Sequence, residues 1–268
     1  MAAPRPRTWW SELRFAIGLV LVAVLLRSFV FATFVIPSES MLPRLMVGDY
    51  LFVAKWPYGF SRYSLPFAPP LFAGRIGERL PERGDVVVFK APPTRRVDYI
   101  KRVIGLPGDR VAMDGGRIVL NGAPVPKLRV ADLLVPVSPN SPCRPAPPAR
   151  IALEREADGS EACRYRRYRE TLPGGRAYEV IDLGDTTADD RGPVTVPPGH
   201  LFLMGDNRDR SADSRFPAEE GGGVGLVPLV NLVGRAEIGV FSTDGSARLL
   251  DPRTWWPAAR PERIGMRF

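Results

Sequence analysis

The sequence predicts a mostly β protein that follows a single N-terminal transmembrane helix, with a smaller β region inserted within the larger one. Three observations lead there. One apolar run of spanning length lies near the N-terminus. Beyond it no stretch keeps a helical period. Short β-branched and aromatic runs instead alternate with turns drawn from 29 prolines and 26 glycines.

The helix comes first. Residues 15–26 are wholly apolar, Arg27 and Ser28 interrupt, and the stretch from Phe29 to Ile36 is again mostly apolar. An apolar run behind a basic start also describes a cleaved signal peptide. No small-x-small cleavage site follows, however, so an anchor is the better reading. A span over residues 15–36 would hold Arg27 near mid-bilayer, at a cost of roughly 2.5–3.5 kcal/mol. A span over residues 9–27 avoids this, because Trp9 and Trp10 mark one interface while Arg14 and Arg27 reach opposite headgroup layers. At about 1.5 Å per residue it covers roughly 28 Å, enough to cross. Arg5, Arg7 and Arg14 outweigh Glu12. This sets the N-terminus in the cytoplasm and everything after Ile36 on the far side of the membrane.

Strands are expected at 50–54, 85–89, 97–104, 110–113 and 117–120, then at 164–169, 177–183, 193–196, 201–204 and 234–241. Residues 136–150 are dense in proline and read as an irregular loop. The expected organisation is a cytoplasmic segment over 1–8, an anchor with its apolar exit segment over 9–36, a core in two parts over 37–109 and 198–268, and a β insertion over 110–197. The insertion carries both cysteines and much arginine, but no cluster that points to chemistry.

The net charge of +8 is mostly scattered arginine. No zinc-finger spacing, RNP-like motif or basic-region helix accompanies it, which argues against nucleic acid and fits an anionic phospholipid surface. Cys143 and Cys163 lack a CxxC spacing and histidine partners, so no metal is expected. After export they can form a disulfide worth roughly 3 kcal/mol in the chain-entropy model; otherwise they are two free thiols.

Residue usage then points to one lysine. Of 37 basic residues only Lys55, Lys90, Lys101 and Lys127 are lysines. A lysine between Ile100 and Arg102 offers what arginine cannot, the loss of a proton. His200 is the only histidine and sits at a strand entry as a structural residue, so a Ser-His-Asp triad finds no base. In an extended strand Val97, Tyr99, Lys101 and Val103 share one face, while Asp98, Ile100, Arg102 and Ile104 share the other. An apolar face of that kind can lower a lysine from about 10.4 towards 8, which takes roughly 3 kcal/mol of preference for the neutral amine.

Four segments in order resemble bacterial type I signal peptidase, the membrane-bound serine protease of the Ser–Lys dyad class. They are the anchor followed by IPSESMLPRLMVGD (36–49), RGDVVVFK (83–90), DYIKRVIGLPGD (98–109) and GDNRDRSADSR (205–215). The resemblance implies a coiled β-sheet catalytic domain and no cofactor. It makes Ser40 the nucleophile and Lys101 the general base. Ser38 and the backbone N–H of Ser40 form the oxyanion hole, and Ser211 orients the lysine amine. Asp213 braces the site in a structural salt bridge with Arg102 and Arg215. Phe34, Ile36, Leu45, Tyr99 and Ile100 match positions that shape two shallow substrate pockets. The implied substrates are membrane-bound preproteins with small residues at −3 and −1 of an Ala-x-Ala-type cleavage site, met by a monomer working near the translocase.

Glu39, Arg44 and Arg210 depart from the family's pattern, and glutamate at 39 would be strained if that position needs a positive φ. Trp255 and Trp256 either touch lipid or pack under the basic tail. Two alternatives share much of this evidence: a dedicated Ser–Lys pilin-maturation peptidase of a conjugation system, and an inactive membrane-anchored β binding module.

Overall fold

The computed structural model describes residues 9–144, 151–155 and 159–268. The expected cytoplasmic segment, 1–8, and residues 145–150 of the proline-rich loop lie outside them.

Trp9–Leu25 is α-helical and continues through a π-helical turn, Leu26–Val30. The stretch Trp9–Val30 is long enough to cross a membrane, its most apolar 18 residues have a mean hydropathy of 2.2, and those residues pack almost none of their surface against the rest of the chain. It is apolar on all sides, as suits a helix surrounded by lipid rather than by one protein face. It also runs past the expected end at Arg27. Phe31 then turns extended at φ −130° and ψ 147°, and helix becomes strand with no linker between.

Most of the apolar exit segment, for which no strand is expected from the sequence, is an edge strand, Phe31–Val35, paired antiparallel with Asp49–Ala54. Alternation explains the difference. Ala32 is buried and Phe34 partly buried, whereas Phe31, Thr33 and Val35 face outward, so the segment has a core side. Pairing also satisfies its backbone polar groups.

The main sheet has seven antiparallel strands in the order Phe31–Val35, Asp49–Ala54, Leu232–Ser242, Val86–Lys90, Asp98–Gly105, His200–Met204 and Val227–Pro228. Register shifts interrupt the Leu232–Ser242 pairings on both sides, and bulges of this kind coil a sheet. Val87, Phe89, Val103, Leu201 and Leu203 pack on one side. Ile104, Phe202 and Met204 pack on the other, against Val111, Ile118 and Val180. The fold is thus mostly β, as the composition predicts.

Between the two halves of this sheet lie a four-stranded sheet and two three-stranded ones. The single strand expected at 164–169 is two, Glu161–Tyr165 and Arg167–Thr171, belonging to different sheets. Exposed Arg166 separates inward-facing Tyr165 from inward-facing Glu170. Cys143 and Cys163 form a disulfide with Cα atoms 5.5 Å apart, over a cluster containing Leu42, Val135 and Tyr165.

Candidate active site

The loop carrying Ser40 is held by its apolar residues. Ile36, Met41 and Leu45 are buried with Leu51, Val86 and Ala236. The chain between them closes a short 3-10 turn, Glu39–Met41, with Leu42 N–H donating to the Glu39 carbonyl at 3.1 Å. With Met41 anchored inward, Ser40 faces the other way, towards the Asp98–Gly105 strand. Its Oγ lies 2.7 Å from Lys101 Nζ, and the two side chains are 6% and 3% exposed.

Lys101 has no carboxylate in ion-pair contact among the described residues. Burial lowers its pKa to about 8; Asp213 and Asp206 oppose the shift and Arg215 assists it. The amine also lies 5.6 Å from the centre of the Tyr99 ring. A buried ammonium is poorly solvated there, so the neutral amine is accessible near physiological pH.

Ser38 Oγ donates to Ser40 Oγ over a long 3.4 Å and sits at the exposed mouth of the site. Ser40 is the second residue of its turn, and the opening N–H groups of a helix have no partner inside it. One hydroxyl and one backbone N–H are therefore available on the Ser40 side of the cleft.

The third wall is the segment 205–215. Asn207 N–H donates to the Ser40 carbonyl at 3.1 Å, and Asn207 Nδ2 to the Glu39 carbonyl at 3.1 Å. Gly205 lies so close that an added Cβ would be 2.2 Å from Ser211 Oγ and 2.5 Å from the Ser40 carbonyl oxygen. Burial alone would raise the Asp213 carboxyl, but Arg215 outweighs it and holds the group below its usual range. Arg215 Nε and Nη2 each donate to it at 2.9 Å, and Gly205 N–H adds a third contact at 3.0 Å.

Two expectations need correction here. Arg102 does not pair with Asp213. It lies on the opposite face of its strand from Lys101 and makes a bidentate pair with Asp206, Nε to Oδ1 at 2.7 Å and Nη2 to Oδ2 at 2.6 Å. Strand alternation forbids adjacent residues from serving one cluster on one face. Ser211 is buried beside Gly205, but its Oγ makes no hydrogen bond in the structure and does not engage the Lys101 amine. The backbone brings Ser211 to the site while its hydroxyl stays unpaired.

The candidate pocket residues divide. Ile36 and Leu45 are closed inside one cluster with Ile100 against it, Phe34 packs with Val53, Tyr63 and Val88, and Tyr99 lies across the strand with Phe89. Glu39 does not occupy the positive-φ region, so no strain attaches to it. Its carboxylate pairs with Arg210 instead, joining two of the three departures noted above. The third, Arg44, donates to the Arg267 carbonyl. His200 bonds the Pro198 carbonyl at 3.0 Å, at the opposite end of its strand from Met204, roughly 13 Å away at about 3.3 Å per residue.

Sequence reasoning missed a buried brace behind the site. Glu170 is fully buried in the inserted region, where it accepts both arms of Arg208 at 2.5 Å and the Tyr178 hydroxyl at 2.7 Å. Tyr178 in turn lies 4.3 Å from Arg102. An acid at an inward position of an alternating strand is the signal that marked it, read earlier only as arginine-rich sequence.

A curled antiparallel sheet thus carries a buried serine in contact with a buried lysine, behind a helix apolar and long enough to cross a membrane. The family described as "Signal peptidase, peptidase S26" matches residues 9–241, and the chain belongs to that family. Signal peptidase I of Rickettsia typhi is 34% identical over 246 residues, covering 88% of this chain and 79% of that one. Signal peptidase I of Rickettsia canadensis is 34% identical over 256 residues, covering 92% and 81%. The crystal structure of a signal peptidase I from Enterococcus faecalis V583 is 22% identical with a TM-score of 0.29, over 59% of this chain and 97% of that one.

Proposed function

We propose that this serine peptidase removes signal peptides from exported preproteins with Ser40 as nucleophile and Lys101 as general base. The observation that carries the reading is the 2.7 Å contact between Ser40 Oγ and the amine of a buried lysine without a carboxylate partner. Neutral Lys101 takes the Ser40 proton as Oγ attacks the scissile carbonyl. The oxyanion that forms is met by the Ser40 N–H and the Ser38 hydroxyl. The lysine ammonium then protonates the departing amine of the mature protein. Water, activated by the same amine, releases the signal peptide from its ester.

Substrate geometry follows from the sheet. His200–Met204 pairs only with residues 102–105 of Asp98–Gly105, so among the described residues no strand covers the other half of that edge, beside Lys101. An extended peptide can add there, its backbone bonded to the edge and alternate side chains turned inward. That favours small residues at −3 and −1, two positions on one side of an extended chain. We place the N-terminus in the cytoplasm and the sheet across the membrane from it, on the balance of arginines flanking the helix.

The test is cleavage of an Ala-x-Ala preprotein by the full chain in detergent. Ser40→Ala and Lys101→Met should each abolish cleavage while circular dichroism stays unchanged, and His200→Ala should cleave normally. Cleavage surviving in Lys101→Met would overturn the reading. Depleting the protein and finding many accumulated precursors, rather than one, separates a general peptidase from a pilin-maturation enzyme.

A further inference from the structure

A second buried lysine lies outside the peptidase machinery. Lys55 is only 5% exposed, and the hydrogen bond its Nζ makes is to the Ser64 carbonyl at 3.0 Å. Its side chain has no carboxylate in ion-pair contact among the described residues. It lines a cavity of about 340 Å³ together with Arg27, Lys90, Arg95, Arg96 and Asp98. Five cations thus face one carboxylate, and that carboxylate is already engaged, since Lys90 Nζ binds Asp98 at 2.8 Å. Burial lowers the Lys55 amine to about 8, with Arg27 adding to the shift. A cluster of like charges around a buried ammonium lacks its counterion.

The cavity also lies at the end of the apolar helix. Lys55 N–H donates to the carbonyl of Val30, the last residue of the apolar helix, at 3.0 Å. Arg27 comes from the last turns of that helix. The remaining walls are partly apolar, with Phe34, Tyr63 and Phe67 among them, and Phe67 stands fully exposed.

We propose that this cavity, at the junction of anchor and sheet, binds a phosphoryl group, with Lys55 at its floor and Arg27, Arg95 and Arg96 at its rim. Oxyanions of phosphate match both the point charge of lysine and the forked donors of arginine. The same chemistry has two sources, an anionic glycerophospholipid headgroup and free inorganic phosphate. The apolar walls and the position beside the anchor favour the lipid. The proposal rests on Trp9–Val30 being a membrane helix and is independent of the Ser40–Lys101 chemistry.

The full chain, purified in detergent and exposed to phosphatidylglycerol or phosphatidylcholine, is to be examined by native mass spectrometry for retained lipid. Thermal stability is measured in parallel with inorganic phosphate against chloride of equal ionic strength. Lys55→Met and the surface pair Arg95→Gln/Arg96→Gln are compared with the unaltered chain. Retention of phosphatidylglycerol over phosphatidylcholine, weakened about tenfold in the variants, assigns the lipid source. Stabilisation by phosphate that the variants lose assigns free phosphate. Neither effect, or effects unchanged in Arg95→Gln/Arg96→Gln, overturns the proposal even if Lys55→Met fails to fold. Cleavage of a soluble peptide should stay unchanged in every folded variant, which keeps failure here distinct from failure of the peptidase reading.

Discussion

With Lys101 as the proposed general base, catalysis is tied to proton concentration with a definite sign. The Lys101 pKa of about 8 means that the free-amine fraction grows tenfold per pH unit below that value. We expect kcat/KM for a peptide substrate to rise with pH, reach half its plateau near 8, and stand at about a hundredth of the plateau at pH 6. A profile flat from 6 to 9 would contradict this. Stability moves in the same direction over a higher pH window. The unfolded lysine titrates near 10.4, so between about 8 and 10.4 the unfolded chain binds more protons and stability rises with pH. Lys101→Met removes the buried charge and should stabilise the protein at pH 7 by about 2 kcal/mol in urea titrations while abolishing cleavage. The single-residue logic was legible beforehand, since the rarity of lysine and of histidine is visible in the chain itself. The direction in which Arg102 points was equally available from alternation. The unpaired Ser211 hydroxyl was not, because side-chain contacts between distant loops leave no mark on spacing.

Elements matter through how they are tied together. Three segments converge on the Ser40 turn, and the Glu39–Arg210 pair closes one of the joints. With both side chains mostly buried, a double-mutant cycle between Glu39→Gly and Arg210→Ser should give a coupling of about 1 kcal/mol in stability. The double variant should recover cleavage lost in Arg210→Ser alone; strictly additive losses would show that the pair is incidental. The brace through Glu170 is stronger. Glu170→Ala leaves the buried Arg208 guanidinium without its partner and should cost about 3–5 kcal/mol by denaturant unfolding. Arg215 Nη2 also donates to the Arg208 carbonyl, so loosening Arg208 should slow cleavage as well. Most of the strands expected from alternation lie within a few residues of observed ones, but Phe31–Val35, Lys127–Arg129, Leu133–Pro136 and Ala152–Arg155 were not expected. Nor was the division of 164–169 into two strands, since Arg166 looks like any solvent-facing residue until both partner sheets are known. The segments 98–109, 36–49 and 205–215 were each visible as motifs, whereas Glu170 and Tyr178, which brace them from behind, come from the inserted sheets.

For the molecule as a whole, the proposed function divides the labour of recognition between the apolar helix and the sheet. A chain beginning at Phe31 should still cleave short peptides in detergent. On a preprotein held in vesicles its rate should fall on the order of a hundredfold, because shared confinement to one bilayer supplies the local concentration. Equal loss on both substrates would mean instead that the helix is needed for folding. Composition alone gave the class, an apolar helix ahead of a turn-rich β chain. It could not give the order of the seven strands, which depends on pairings between residues nearly two hundred positions apart.

The direct passage from Val30 into the edge strand at Phe31 has a further consequence. A peptidase with a flexible stalk would sample many heights and would have to choose its bond by side chains alone. Here the strand Phe31–Val35 extends about 17 Å at most before the turn that carries Ser40. On the proposed reading, with Trp9–Val30 spanning the membrane, selection acts partly as a depth gauge: a bond is cut because it arrives at a fixed elevation above the bilayer. Lengthening the junction by two residues, which preserves which face of the strand is buried, should shift the preferred cut site along the substrate before it changes the residues accepted there.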